Sequence, residues 1–260
     1  MALKLCVLAS GSTGNCTYVA GETTRVLVDA GTSCREIERR LSSIGVAPAD
    51  IAAVCLTHEH DDHRSSLATF YKRYRPALYA NAGTVDALER DPKLRGLSWS
   101  IFTTGQAFEV GDLRLEPFSV PHDSYDPVGF IVTDGRVRLG MVTDMGVPTE
   151  LIRQRLRDCD AAVVESNHDE DLLGNSRRPW SLIQRIKGRQ GHLSNRQAGR
   201  LIADIAGPRL KTVLLAHLSA QCNRGELALK TVSGLLNGSG VAGVQVKLTY
   251  PDRPSEVIDL

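Results

Sequence analysis

The sequence predicts one α/β domain of 260 residues, and three observations carry that prediction. Short apolar β runs alternate with amphipathic helical runs from end to end. No low-complexity linker or internal repeat divides the chain. Hydrophobic residues at 42% and charged residues at 23% suit a globular protein with a full core.

The elements follow in order. LKLCVLA (3–9), CTYVA (16–20) and RVLVDA (25–30) read as three early strands. Helical periodicity comes next in CREIERRLSSIG (34–45), which Gly45 and Pro48 stop. IAAVCLT (51–57) is an unbroken apolar run of the buried-strand kind and leads straight into a group of histidines. A helix is expected through SSLATFYKRY (65–74). LRLEPFSV (113–120), PVGFIVTDGRVRLGMVTD (127–144), AAVVES (161–166) and KTVLLAH (211–217) supply further strands. TDGR folds the second of these into a hairpin, so Asp134 is a turn residue. Further helices are expected over 149–157, 194–205 and 224–236. Polar residues stand where apolar runs stop: Asp29, His58, His122, Asp144 and His217. Loops at strand ends are where a rigid sheet can hold a site.

Composition removes several classes of function. Lys plus Arg total 31 against 30 for Asp plus Glu, so overall charge favours neither nucleic acid nor membrane. No stretch approaches the roughly 18 apolar residues of a membrane span. The opening MALKLCVLASGS has too short an apolar run for a signal peptide. Six scattered cysteines without a CxxC fit reduced, buried thiols, and the expected location is cytoplasmic.

The densest chemistry lies in THEHDDH (57–63). His58, His60, Asp62 and His63 offer imidazole nitrogens and a carboxylate, the donors that divalent transition metals accept. Two ligands two residues apart at a strand end can project to one side. The loop beyond can turn Asp62 and His63 towards a neighbouring point. One cluster cannot complete two metal shells, so remote ligands are required, and His122, Asp144 and His217 are available. Asp144 is the best-placed residue to bridge, because a carboxylate has two oxygens. Two metals about 4 Å apart would activate a water and stabilise charge on an attacked phosphoryl or carbonyl group. Zinc, manganese and iron all suit such donors. His168, by contrast, reads as a lone exposed histidine without an assigned role.

The chain resembles the metallo-β-lactamase fold superfamily in the order of five motifs: VDAG, THEHDDH, PHD, TD and AHLS. That resemblance implies an αββα four-layer sandwich with the site at one edge. It implies that His58, His60 and His122 hold one metal, that Asp62, His63 and His217 hold the other, and that Asp144 bridges. Asp29 would orient a ligand or the water. The β-lactamases proper carry a cysteine where Asp144 stands, and they carry export signals, so antibiotic hydrolysis is not expected.

Three further segments favour a phosphodiester substrate. LASGSTGNC (8–16) offers backbone N–H groups to an anion or is a plain tight turn; Ser10 and Asn15 are its candidates to bind phosphate. From Leu172 to Ala203 the chain has seven basic residues and no acidic one. Trp180 lies among them, and Arg177, Arg178 and Trp180 are the expected contacts to a nucleic-acid strand. The bland alternative is a solvated helix face. In GHLSNRQAGRLIADIAG (191–207), Ser194 and Gln197 form a capping box. His192 therefore stands near the positive end of a helix, either to protonate a leaving oxygen or as a plain loop residue.

GHLS followed by a helix, a strand and AHLS also resembles ribonuclease Z. LASGSTGNC, ESNHD (165–169), RRPWSLIQRI, GHLSN and AHLSAQCN are similar to the YycJ/WalJ branch, regarded as 5′→3′ DNA exonucleases. The resemblance implies catalytic roles for His192, Asp62 and Asp144. Ser219 and Asn223, in the last motif, join the candidates to bind phosphate. That branch tends to have Asn-x-Pro where this chain has Asn223-Arg224-Gly225. Only 72 residues (145–216) separate Asp144 from His217, too few for the inserted cap of the β-CASP nucleases. The expected function is a two-metal phosphodiesterase acting on nucleic acid, DNA before RNA. The alternatives are a small-substrate hydrolase of the same fold, for a cyclic phosphodiester or thioester, and a non-catalytic nucleic-acid-binding protein.

Overall fold

In the computed structural model, which describes residues 3–260, two seven-stranded sheets pack face to face. The first contains β1 (Lys4–Ala9), β2 (Cys16–Ala20), β3 (Arg25–Val28), β4 (Ala53–Cys55), β5 (Ala77–Asn81) and β6 (Trp99–Phe102). The second contains β7 (Phe108–Val110), β8 (Leu113–Ser119), β9 (Val128–Thr133), β10 (Arg138–Val142), β11 (Ala161–Glu165), β12 (Thr212–Ala216) and β13 (Gln245–Leu248). A short β14 (Ile258–Asp259) returns to pair with β1. The orders are β14-β1-β2-β3-β4-β5-β6 and β13-β12-β11-β10-β9-β8-β7. Each sheet is antiparallel on one side and parallel on the other, with β3 to β6 and β10 to β13 parallel.

Strands buried on both faces read as continuous apolar runs, and β1 shows why. Leu5 and Val7 point into the core between the sheets, where they meet Phe130, Val132 and Leu214. Cys6 and Leu8 point the other way, towards α1 (Cys34–Ser43) and α3 (Leu67–Tyr74). The second sheet is covered on its outer face by α5 (Glu150–Leu156), α8 (Asn195–Ile205) and α9 (Gly225–Gly238). The layers run helix, sheet, sheet, helix, which is the αββα sandwich that the motif order implies.

Most expected elements stand within two or three residues of their predicted bounds. The helix expected over 65–74 is α3, which starts two residues later, and a separate short helix, α2 (Asp61–Arg64), precedes it unannounced. Ser65 and Ser66, between the two, donate their hydroxyls to the carbonyls of Gly31 and Ala30. The sequence reading passed over β5, β6, β7, β13 and β14, and the helices α4 (Ala82–Leu88), α6 (Glu170–Gly174) and α7 (Trp180–Lys187). None of the described helices is long and apolar enough to cross a membrane.

Candidate metal centre

The site lies beyond the carboxyl ends of strands in both sheets, where loops are free to converge. Asp29 follows β3, His58 follows β4, His122 follows β8, Asp144 follows β10, Glu165 ends β11 and His217 follows β12. Asp29, Asp144 and His217 have positive φ angles of 64°, 55° and 55°. Only four non-glycine residues do so among the described residues, and the fourth, Arg75, caps α3. Left-handed backbone at non-glycine residues costs energy and persists where surrounding structure imposes it. Here it swings three side chains off their strand axes into one pocket. Gly31, the last residue of VDAG, explains itself in the same way. A Cβ there would sit 1.6 Å from the Asp62 carbonyl oxygen, so only glycine lets the two loops touch.

His58, His60 and His122 form one group of nitrogens able to hold a metal ion. His60 Nδ1 lies 3.1 Å from His58 Nε2 and 3.3 Å from His122 Nε2. The outer bonds of two of these rings settle which nitrogen is free. His58 Nδ1 donates to Thr57 Oγ1 at 3.0 Å, and that hydroxyl donates in turn to Asp29. His122 Nδ1 donates to the Gly191 carbonyl at 3.3 Å. Both rings therefore present an unprotonated Nε2 to the centre, the arrangement in which protein acceptors fix the tautomer of a ligand histidine. Burial pushes the pKa of His58 well below the ordinary histidine value and lowers that of His122, which keeps both neutral.

Asp62, His63 and His217 form a second group. His63 Nδ1 donates to Asp29 Oδ2 at 2.7 Å, leaving Nε2 facing Asp62 and Asp144. Asp144 reaches both groups: its Oδ2 is 3.2 Å from His63 Nε2 and its Oδ1 is 4.0 Å from His122 Nε2. Two atoms test whether a cation fits. Asp144 Oδ2 and His217 Nε2 are buried and find no hydrogen-bond partner among the described residues. A buried carboxylate oxygen and a buried ring nitrogen facing the same space are poor company for each other alone and good ligands for a divalent ion. Burial opposes charge on His63 and His217, yet Asp29 and Asp144 hold His63, and Asp144 holds His217, well above the ordinary histidine pKa. Burial likewise opposes charge on Asp144, but His217 and His63 keep its carboxyl well below the usual range. Protons thus stand in where cations would bind.

Glu165 is the residue that sequence reasoning missed. It is fully buried, and its Oε1 accepts from His192 Nδ1 at 2.8 Å and from His217 Nδ1 at 3.0 Å. Its Oε2 accepts from the backbone N–H of Met145 and Leu193. One carboxylate thereby fixes the tautomers of two histidines and ties together the loops that carry Asp144, His192 and His217. The signal was present, since Glu165 ends an apolar run as Asp144 and His217 nearly do, but it has no spacing partner. His192 keeps about a fifth of its side chain exposed, while the rings of His58, His63, His122 and His217 are buried. Burial works against its charge, but Glu165 raises its pKa above the ordinary value. The expected capping box at Ser194 and Gln197 is present at the start of α8.

Of the residues read as phosphate contacts, Ser10 and Asn15 touch the metal-capable cluster itself. Ser10, Asn15, Ser219 and Asn223 are all buried. Ser10 Oγ accepts from the His217 backbone N–H at 2.7 Å. Asn15 Nδ2 donates towards Asp62 Oδ2 and approaches His63 Nε2, at 3.2 and 3.1 Å. Asn223 is bound to Ser166, Asn167 and Asn195, and Ser219 Oγ accepts from Cys222 N–H. Through these bonds the side chains brace the loops under the site. His168 is also corrected: it is buried, not exposed, and burial lowers its pKa to about 4. Its backbone bridges to Ser194.

The basic segment is less bare than its sequence suggests. Arg185 pairs with Asp123 at 2.5 Å and Arg196 with Glu170 at 3.6 Å. Trp180 remains 73% exposed at the start of α7, with Arg177 exposed nearby. Arg178 donates to Gln221, in the loop after His217, and Arg185 holds Asp123, next to His122. The segment from Arg178 to Arg185 is thereby tied to the loops that carry His217 and His122.

A family model for the β-lactamase superfamily domain matches residues 24–217. Exodeoxyribonuclease YycJ of Bacillus anthracis is 34% identical over 267 aligned residues, covering 99% of each chain. Exodeoxyribonuclease WalJ of Streptococcus pneumoniae is 33% identical and covers 99% of this chain and 98% of its own. Among solved structures, the metallo-β-lactamase fold protein YhfI of Bacillus subtilis superposes over the full length of both chains with a TM-score of 0.78. At 15% identity that last likeness speaks of the fold alone.

Proposed function

This chain belongs to the β-lactamase superfamily and is a metal-dependent hydrolase; from that premise we propose that it is a two-metal phosphodiesterase that degrades DNA from its 5′ end. The observation that carries the reading is the pair Glu165–His192 beside Asp144: a histidine outside the His58–His60–His122 and Asp62–His63–His217 groups, bound through Nδ1 to Glu165 and about a fifth exposed. Full-length similarity to two exodeoxyribonucleases supports a DNA substrate.

His58, His60 and His122 would hold one divalent ion, Asp62, His63 and His217 the other, and Asp144 would lie between them. When bound, such ions supply a nucleophilic water and neutralise charge on the nonbridging phosphoryl oxygens, whether zinc, manganese or iron is used. Asp29 orients His63, and Thr57 orients His58, so that both present a lone pair inward. His192 Nδ1 is committed to Glu165, which leaves Nε2 to hold a proton for the leaving oxygen. Glu165 stabilises the charged ring before transfer. Arg177 and Trp180 meet the strand at the rim, one through phosphate and one through a base face. Six free, buried cysteines accord with a reducing, cytoplasmic place of action.

Product analysis tests this reading. End-labelled single- and double-stranded DNA and RNA, with 5′-phosphate or 5′-hydroxyl ends, are incubated with manganese or zinc. Stepwise release of nucleotides from the 5′ end of DNA is the expected result. Turnover of a small cyclic phosphodiester or a thioester without cleavage of any polymer would overturn it.

A further inference from the structure

Beside the metal-capable cluster lies a second concavity of about 290 Å³, close to the lower end of the roughly 300–1,000 Å³ typical of small-ligand clefts. Segments 11–13, 218–220, 223–225 and 248–251 line it. Two of them join the centre directly. Leu218 follows His217, and Gly11 follows Ser10, whose hydroxyl accepts from the His217 backbone N–H. The cavity begins one residue from a residue proposed to hold a metal.

Its walls are mainly apolar, with Leu218, Leu248, Tyr250 and Pro251 contributing. Tyr250 is backed by Arg253, whose guanidinium carbon lies 3.8 Å from the ring centroid and restrains the ring. Arg224 stands exposed in the lining and has no ion-pair partner among the described residues. At Gly225, where the related branch tends to have proline, a Cβ would come within 2.7 Å of Leu248 Cδ1, so Leu248 packs directly over the glycine.

An apolar hollow with a restrained aromatic ring, a cationic residue in its lining and a phosphoryl-handling centre next door suits a flat ring joined through a sugar to phosphate. We propose that this cavity takes the nucleobase of the nucleotide flanking the scissile phosphate, with Tyr250 as its stacking face and Arg224 meeting the adjacent phosphate. This rests on the nuclease reading above and deepens it.

The test uses the metal-loaded full chain and three 5′-phosphorylated DNA oligomers: one intact, one abasic at its first nucleotide and one abasic at its second. Ala220→Trp and Ser12→Trp narrow the cavity from exposed positions, so folding is spared. Wild-type protein is expected to show a KM about tenfold lower for the intact oligomer than for one of the abasic ones, the scale of losing one base–aromatic stack. Each Trp variant should lose that preference, with kcat on the abasic oligomer and metal content unchanged. Equal KM values for all three oligomers in the wild type would overturn the proposal alone, leaving the nuclease reading intact. So would Trp variants that weaken every oligomer alike. If the wild type degrades none of them with either metal, the nuclease reading fails and the cavity assignment fails with it.

Discussion

Glu165 Oε1 lies 2.8 Å from His192 Nδ1, and that bond decides which nitrogen of the ring faces the cleft. The same oxygen accepts from His217 Nδ1 at 3.0 Å, so one buried carboxylate governs both a proton donor and a residue proposed to hold a metal.

Glu165→Gln should therefore damage two functions at once. The amide keeps the shape but cannot stabilise a charged His192, and it donates where it should accept. A fall in kcat of about 100-fold or more is expected, with metal affinity at the Asp62–His63–His217 group weakened about tenfold or more. Steady-state kinetics and metal analysis of the purified variant read both effects. Normal metal affinity with normal kcat would remove Glu165 from the account.

His192→Ala should separate proton donation from metal binding. We expect the metal content to stay at the wild-type value and kcat on DNA to fall by about 100- to 10,000-fold. A substrate with a p-nitrophenolate leaving group needs no proton and should lose far less. Equal losses on both substrates would contradict a role at the leaving oxygen.

The effect of pH should reverse sign with metal. In the metal-free protein His63 and His217 have raised pKa values, so the stability they contribute is complete below the unfolded histidine value of about 6.5 and is lost as pH rises through their folded values. The Tm of the metal-free protein should fall as the pH rises above that unfolded value and through the range where the two histidines lose their protons. Metal must displace those protons, so the metal-loaded protein should instead gain over the lower part of that range. Thermal unfolding at several pH values, with and without metal, checks the crossing. Parallel curves would mean that the two histidines are not proton stores.

Arg177→Glu should raise KM for DNA and reduce the slope of log affinity against log salt by about one. Its kcat on a small phosphodiester should not change, because the residue is exposed on the rim. An unchanged salt slope would reduce the basic segment to ordinary surface.

What the sequence made legible follows from how local each signal is. His58, His60, Asp62 and His63 are readable because a strand end and a short turn place them within a few residues of one another. His122, Asp144 and His217 are readable only as answers to an incomplete shell. Glu165 escapes because its partners lie 27 and 52 residues away, and its place at the end of an apolar run has no nearby spacing partner to support it. The bracing contacts of Asn15 and Ser10 are hidden for a similar reason. Their loop has the composition of an anion-binding turn, but Asn15 N–H donates to the Asp62 carbonyl at 2.7 Å across 47 positions, and that contact buries it. The strands β5 to β7 were passed over because they are short, at five, four and three residues. The long buried strands and the amphipathic helices α1 and α8 carry enough period to be read alone.

The most direct test is to titrate metal-free protein with manganese while following hydrolysis of 5′-labelled DNA, beside a His60→Ala control. The account predicts two bound ions per chain, hydrolysis from the 5′ end that becomes full with the second, and neither full loading nor hydrolysis in the control. Full activity with one ion, or an active His60→Ala protein, would contradict it.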